Sequence, residues 1–89
     1  MKFEWDLEKA DGNLRKHGVS FDAAARAFED ELSATFPDPD HSRGEASLIT
    51  YGLGIDGKLL VISHVERGGI IRIISARVAT TKERKRYEA

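Results

Sequence analysis

The stretch "KLLVISHVERGGIIRIISAR", residues 58–77, decides the fold. Two runs rich in Val and Ile flank Gly68-Gly69, and a Gly-Gly pair accepts the positive φ that a two-residue hairpin turn demands. The spacing predicts antiparallel strands in which Arg67 faces Ile70, Val65 faces Arg72, His64 faces Ile73 and Leu60 faces Arg77. Side chains alternate along a strand, so one face carries Arg67, Arg72, Ser63, Val61, Val65 and Ile74. The other face carries Glu66, His64, Arg77, Leu60, Ile62, Ile71 and Ile73; being more apolar, it is the one expected to pack on helices.

Working outward, "SLITYGLG" (47–54) reads as a third strand, joined to the hairpin by the turn "IDGK" (55–58). Residues 29–45 are acidic, hold both prolines and read mostly as loop, with "SATF" (33–36) an edge strand ended by Pro37. At the start, "FEW" (3–5) is a short strand with Phe3 and Trp5 on one side. Asp6 caps a helix over 7–18 with Leu7, Ala10 and Leu14 as its apolar stripe and Gly18 as its stop. Ser20 caps a second helix whose buried face is Phe21, Ala24, Ala25 and Phe28, with Val19 stapled onto Ala24. Thr80 and Glu83 match a capping box and open a last helix, "TKERKRYE" (81–88). The fold class is therefore α+β: an N-terminal strand and two short helices packed on an antiparallel sheet of three to four strands, then a C-terminal helix, in one domain over 1–89.

Composition narrows the function. The chain has 40% hydrophobic and 33% charged residues and no cysteine, which removes disulfides, thiolate metal sites and a cysteine nucleophile. No apolar run approaches the roughly 20 residues of a membrane helix. The opening "MKFEWDLEK" has acids where a signal peptide needs an apolar core, which predicts a cytoplasmic protein. Up to Gly57 there are 6 Lys and Arg against 12 Asp and Glu; after it, 8 against 3. This imbalance points the C-terminal part at an anionic partner, or else the two parts neutralise each other. Nucleotide-binding glycine loops and the G-x-S-x-G elbow are absent, and His17, His41 and His64 lack zinc-site spacing, so neither cofactor nor metal is expected.

"FEWD" (3–6), "NLRKHGVSFDAAARAF" (13–28), "GEASLITYGL" (44–53), "HVERG" (64–68) and "IRIISARVAT" (71–80), then "ER" and a tyrosine, resemble the BrnT family of toxins from bacterial type II toxin–antitoxin pairs. The resemblance is collinear over nearly the whole chain. It implies a RelE-like fold, a metal-independent ribonuclease activity that blocks translation, and neutralisation by a BrnA-type antitoxin, through which alone the complex reaches operator DNA. Ser47 and Val78 depart from the family, which commonly has Glu-Glu-Arg over 45–47 and often a lysine after "ISAR". Two cations that would face phosphate are absent there.

Cleaving RNA without a metal uses the 2′-hydroxyl as nucleophile. The protein must help remove its proton, protonate the leaving 5′-oxygen and stabilise charge on the phosphoryl oxygens. Arginine suits the last task because its planar fork donates two parallel hydrogen bonds to phosphate. The expected catalytic set is Arg77, His64, Glu45 and Arg67, with Arg77 favoured because "ISAR" carries the resemblance; Arg72, Lys82, Arg84 and Lys85 are expected to bind RNA. Each has a plainer reading. His64 is alternatively a hydrogen-bonded core histidine, Glu45 a surface ion-pair partner and Arg72 a solvent-facing strand residue. The last helix either presents cations or is a solvated, frayed terminus. Two other functions stay open: an antitoxin-binding module of this fold that has lost cleavage, and a non-enzymatic nucleic-acid binder.

Overall fold

The structure is a computed structural model that describes residues 1–38 and 47–88. In chain order the elements are β1 (Lys2–Glu4), α1 (Leu7–His17), α2 (Phe21–Ala27), β2 (Ala34–Pro37), β3 (Ser47–Leu53), β4 (Leu59–Arg67), β5 (Ile70–Val78) and α3 (Thr81–Glu88). All strands join one sheet in the order β1-β5-β4-β3-β2. Neighbours are antiparallel except β1, which runs parallel to β5 with Glu4 opposite Arg72.

The local signals act as the residues dictate. Asp6 accepts a hydrogen bond from Lys9 N at 3.0 Å, and Ser20 Oγ accepts one from Ala23 N at 3.0 Å, so both helices start at side-chain caps. Gly18, Gly68 and Gly69 all take positive φ, ending α1 and turning the β4–β5 hairpin.

Helices α1 and α2 cover one face of the sheet. Phe21, Ala24 and Ala27 of α2 pack with Val19 onto Leu60, Ile62, Ile71, Ile73 and Ala76, and Phe3, Trp5 and Phe28 close the margin. Full burial of a side chain such as Phe21 contributes about 1.5–3 kcal/mol. Ala27, outside the expected face of α2, is fully buried because β3 approaches it at Gly52, where a Cβ would lie 2.5 Å from Ala27 O. Only glycine permits that approach.

The expected stripe on α1 is corrected. Leu7 and Leu14 are exposed, Ala10 packs on the core, and the buried residue of the helix is Asn13. Its Nδ2 donates to Val19 O at 2.9 Å and Ala76 O at 2.8 Å, and its Oδ1 accepts from Ala76 N at 3.1 Å. Strand β1 pairs with β5 only at Ile70–Arg72, so farther along the edge Asn13 satisfies backbone groups that would otherwise be buried without partners. That requirement outweighs the burial of two leucines.

The register of the hairpin is corrected too. Near the turn the pairs are as expected, Arg67 with Ile70, Val65 with Arg72 and His64 with Ile73. Beyond it, Ser63 pairs with Ser75, Val61 with Arg77 and Leu60 with Val78. One extra residue, Ile74, is accommodated in β5, and such a bulge reverses the facing of everything after it. Arg77 therefore leaves the helix-covered face and joins Arg67 and Arg72 on the opposite one.

Candidate active site

The open face of the sheet is the candidate site, because it gathers Arg67, Arg72 and Arg77 on one surface. Tyr51, Val61 and Arg77 form a row across β3, β4 and β5, while Val65 and Arg72 form a parallel row nearer the hairpin, with Arg67 beside them. Regular alternation in β4 and the bulge in β5 together put the three arginines on one surface.

Arg77 is held rather than loose. Its Nη1 and Nη2 donate to Glu83 Oε1 and Oε2 at 2.7 and 2.9 Å, a bidentate pair. Glu83 also closes the expected capping box, accepting from Thr80 N at 2.9 Å while Thr80 Oγ1 accepts from Glu83 N at 3.2 Å. The Arg77 guanidinium is the main reason the Glu83 carboxyl sits down at about 2, so it stays ionised at any pH where RNA is handled. The same bond raises Arg77 further above neutrality. A guanidinium has five N–H groups; Glu83 takes two and Val78 O, 3.5 Å from Nη1, takes a third, so among the described residues Nε and one Nη2 hydrogen are left for another acceptor.

Helix α3 is not the frayed terminus that was one of its two readings. Tyr87 donates to Leu32 O at 2.6 Å, with Asp30 Oδ2 at 3.1 Å. Asp30 in turn accepts from Leu53 N and Leu32 N, which lower its carboxyl. Pinned at Glu83 and Tyr87, α3 arches over one corner of the open face and leaves a groove of about 860 Å³ lined by Phe36, Ile49, Tyr51, Leu53, Arg84 and Arg86 among others. Lys82 and Lys85 are exposed on the same helix, and Arg84 bonds Glu88 at 3.0 Å. At the far corner Arg72 donates to Glu4 at 2.8 Å.

His64 is not brought to this face. It is fully buried on the helix-covered side, with Nε2 2.7 Å from Thr50 Oγ1, which is itself 2.7 Å from Thr35 Oγ1, and with Phe28 in a T-shaped ring contact at 5.0 Å between centroids. Among the described residues its Nδ1 has no partner. Burial lowers its pKa to about 4. It reaches no substrate from there, so the core reading replaces the acid–base one. Neutral histidine is required in the fold while the unfolded chain protonates near 6.5, so stability is full above pH 6.5 and falls toward pH 4, by up to about 3 kcal/mol. Urea midpoints measured between pH 7 and 4.5 should decline in wild type and lose most of that slope in His64→Leu; equal slopes would contradict it.

Glu45 and His41 lie outside the described residues. Among those described, no three metal-ligating side chains cluster, and no helix is long and apolar enough to cross a membrane.

The profile of the family described as "Ribonuclease toxin, BrnT, of type II toxin-antitoxin system" matches residues 5–83. The chain belongs to the BrnT family. A crystal structure of the Brucella abortus ribonuclease toxin BrnT superposes with a TM-score of 0.71 at 28% identity, covering 91% of this chain and 99% of that one. The comparison with curated proteins found no significant match. Membership makes the chain a ribonuclease toxin of a type II system, with an RNA target and an antitoxin partner.

Against the BrnT pattern, the two departures differ in meaning. Val78 pairs with Leu60 on the helix-covered side, so a lysine there would not stand among the arginines. Ser47 pairs with Val65 on the open-face side, in the row that Arg72 completes, and its side chain is buried there. Two site residues escaped the sequence reading. Glu83 was legible only as a cap, although an acid six residues after Arg77, on a helix that turns back, was the available signal. Tyr51 carried no signal, because its place beside Arg77 exists only across three strands.

Proposed function

We propose that this BrnT toxin is a metal-independent RNA endonuclease that blocks translation by cutting RNA laid across the open sheet face. The observation that carries the reading is the bulge at Ile74, which puts Arg77 on the same surface as Arg67 and Arg72. Three guanidiniums there supply the charge that a metal would otherwise supply to the phosphoryl oxygens. Arg77, oriented by Glu83, and the hydroxyl of Tyr51 donate to the scissile phosphate. Arg67 and Arg72 hold the neighbouring backbone, Lys82, Arg84 and Lys85 extend the cationic track, and Glu45 takes the 2′-hydroxyl proton; the 2′-oxygen bonds to phosphorus as the P–O5′ bond breaks, and water protonates the leaving 5′-oxygen. Purified protein with RNA in EDTA should leave 2′,3′-cyclic phosphate ends. Intact RNA at micromolar protein, or cleavage only when divalent metal is added, would contradict the reading.

A BrnA-type antitoxin neutralises the toxin at the α3 corner and carries the complex to operator DNA. The apolar groove carries Arg84 and Arg86 beside Glu83 and Glu88, and α3, with Lys82 and Lys85 as well, is cationic on balance; this fits a partner that is apolar with an acidic edge, and a stable interface buries on the order of 1,600 Å². Changing Lys82, Arg84, Lys85 and Arg86 together to glutamate should abolish co-purification with the antitoxin; survival of the complex would move the contact elsewhere.

A further inference from the structure

We propose that the groove at the β1–β5–β4 corner of the open face is a nucleobase subsite that reads guanine. The inference rests on the ribonuclease reading and gives it a sequence preference. The groove, about 460 Å³, is lined by Glu4, Val65, Arg67, Ile70, Arg72 and Ile74. Val65, Ile70 and Ile74 are half-buried apolar side chains on a face that α1 and α2 leave uncovered, a floor suited to the flat face of a base.

The wall of the groove supplies the hydrogen-bonding code. Glu4 and Arg72 are register partners, fixed to each other by Nη1 donating to Oε2 at 2.8 Å. Side by side they offer, in a row, the remaining donors of the guanidinium and then two carboxylate oxygens. The Watson–Crick edge of guanine presents the complement in the same order: the O6 acceptor, then the N1–H and N2–H donors. Adenine has one donor beside one acceptor, and uracil turns carbonyls toward the carboxylate on both sides of its single donor. Cytosine offers a single donor beside two acceptors, so it leaves one carboxylate oxygen of Glu4 unmatched where guanine fills both. A carboxylate on a surface that binds phosphates is otherwise repulsive, and a base rich in donors accounts for its place there. Val65 lies four residues from Val61, the partner of Arg77, roughly 13 Å along the strand, so the base read belongs to a nucleotide close to the one cut.

The test uses the full chain and the four 5′-mononucleotides GMP, AMP, CMP and UMP, with dissociation constants and amide shifts followed by NMR. GMP should bind roughly tenfold or more tightly than the other three and move the amides of Val65, Ile70 and Ile74, and Glu4→Gln should remove the preference. Equal affinities, a different preferred base, or a guanine preference that persists in Glu4→Gln would overturn the subsite even if RNA is cleaved. Selective GMP binding by a protein that leaves RNA intact would keep the subsite and remove the ribonuclease reading. Should Glu4→Gln fail to fold, the wild-type ranking of the four nucleotides decides.

Discussion

Arg77→Ala is expected to lower RNA cleavage by on the order of 10²–10³-fold while leaving thermal stability within a few degrees of wild type. The two halves of that result have different causes. The guanidinium is about 40% exposed and its bidentate ion pair with Glu83 is only partly buried, so its loss costs the fold about 1 kcal/mol, a few degrees of melting temperature. In the reaction, however, the same change removes the donor aimed at the phosphate and leaves Glu83 as an uncompensated negative charge beside it. Arg77→Lys separates these contributions, because lysine restores the positive charge without the planar fork and should recover only part of the rate. Cleavage rates on a defined oligonucleotide, paired with melting curves, read both effects. A variant that cuts at the wild-type rate would take Arg77 out of the chemistry.

Asn13→Ala should be the most damaging single truncation for stability. It removes three hydrogen bonds and leaves the carbonyls of Val19 and Ala76 and the amide of Ala76 buried without partners, at a cost of about 3 kcal/mol or more. In a domain of this size that lowers the melting temperature by more than about 10 °C. Asn13→Asp keeps the shape and the acceptor but has no donors, and it turns an oxygen toward two carbonyls. It should be destabilised at least as much, which distinguishes lost bonding from a lost side-chain volume. If thermal denaturation finds either variant within a few degrees of wild type, α1 does not anchor to the sheet as described.

Both predictions turn on features that the amino-acid pattern displayed unevenly. The elements themselves were legible, since Gly68-Gly69, Asp6, Ser20 and the Thr80/Glu83 pair are local signals that act within three or four residues. The bulge was not. Ile74 stands in a run of isoleucines, and nothing in its chemistry marks the extra residue; only the packing of Ala76 toward Asn13 and Ile62 fixes which way the strand must turn after it. One residue of slip reversed Arg77 and so changed the meaning of the site.

Asn13 illustrates the same limit from the other side. It is read most simply as a polar residue on the wet flank of α1, because two of the three groups that demand it, the N–H and C=O of Ala76, lie 63 residues away in the chain. His64 was assigned to the correct face, yet its role there depended on how completely Phe28, Thr50 and the helices close over it. Burial to that degree is a property of the assembled core and not of a strand period. The family pattern contributed what periodicity did not, because "ISAR" drew attention to Arg77 even while the register inferred for it was wrong.

RNA is expected to lie on the sheet face that α1 and α2 leave open. NMR titration with a short oligonucleotide of 2′-O-methyl riboses, which cannot be cut through its 2′-oxygens, tests it most directly. Shifts should concentrate on the side-chain N–H groups of Arg67, Arg72 and Arg77 and on the backbone of Val65 and Ser75. Shifts confined to Arg15, Arg26 and the rest of the α1 and α2 surface, with the arginines of β4 and β5 unmoved, would contradict it.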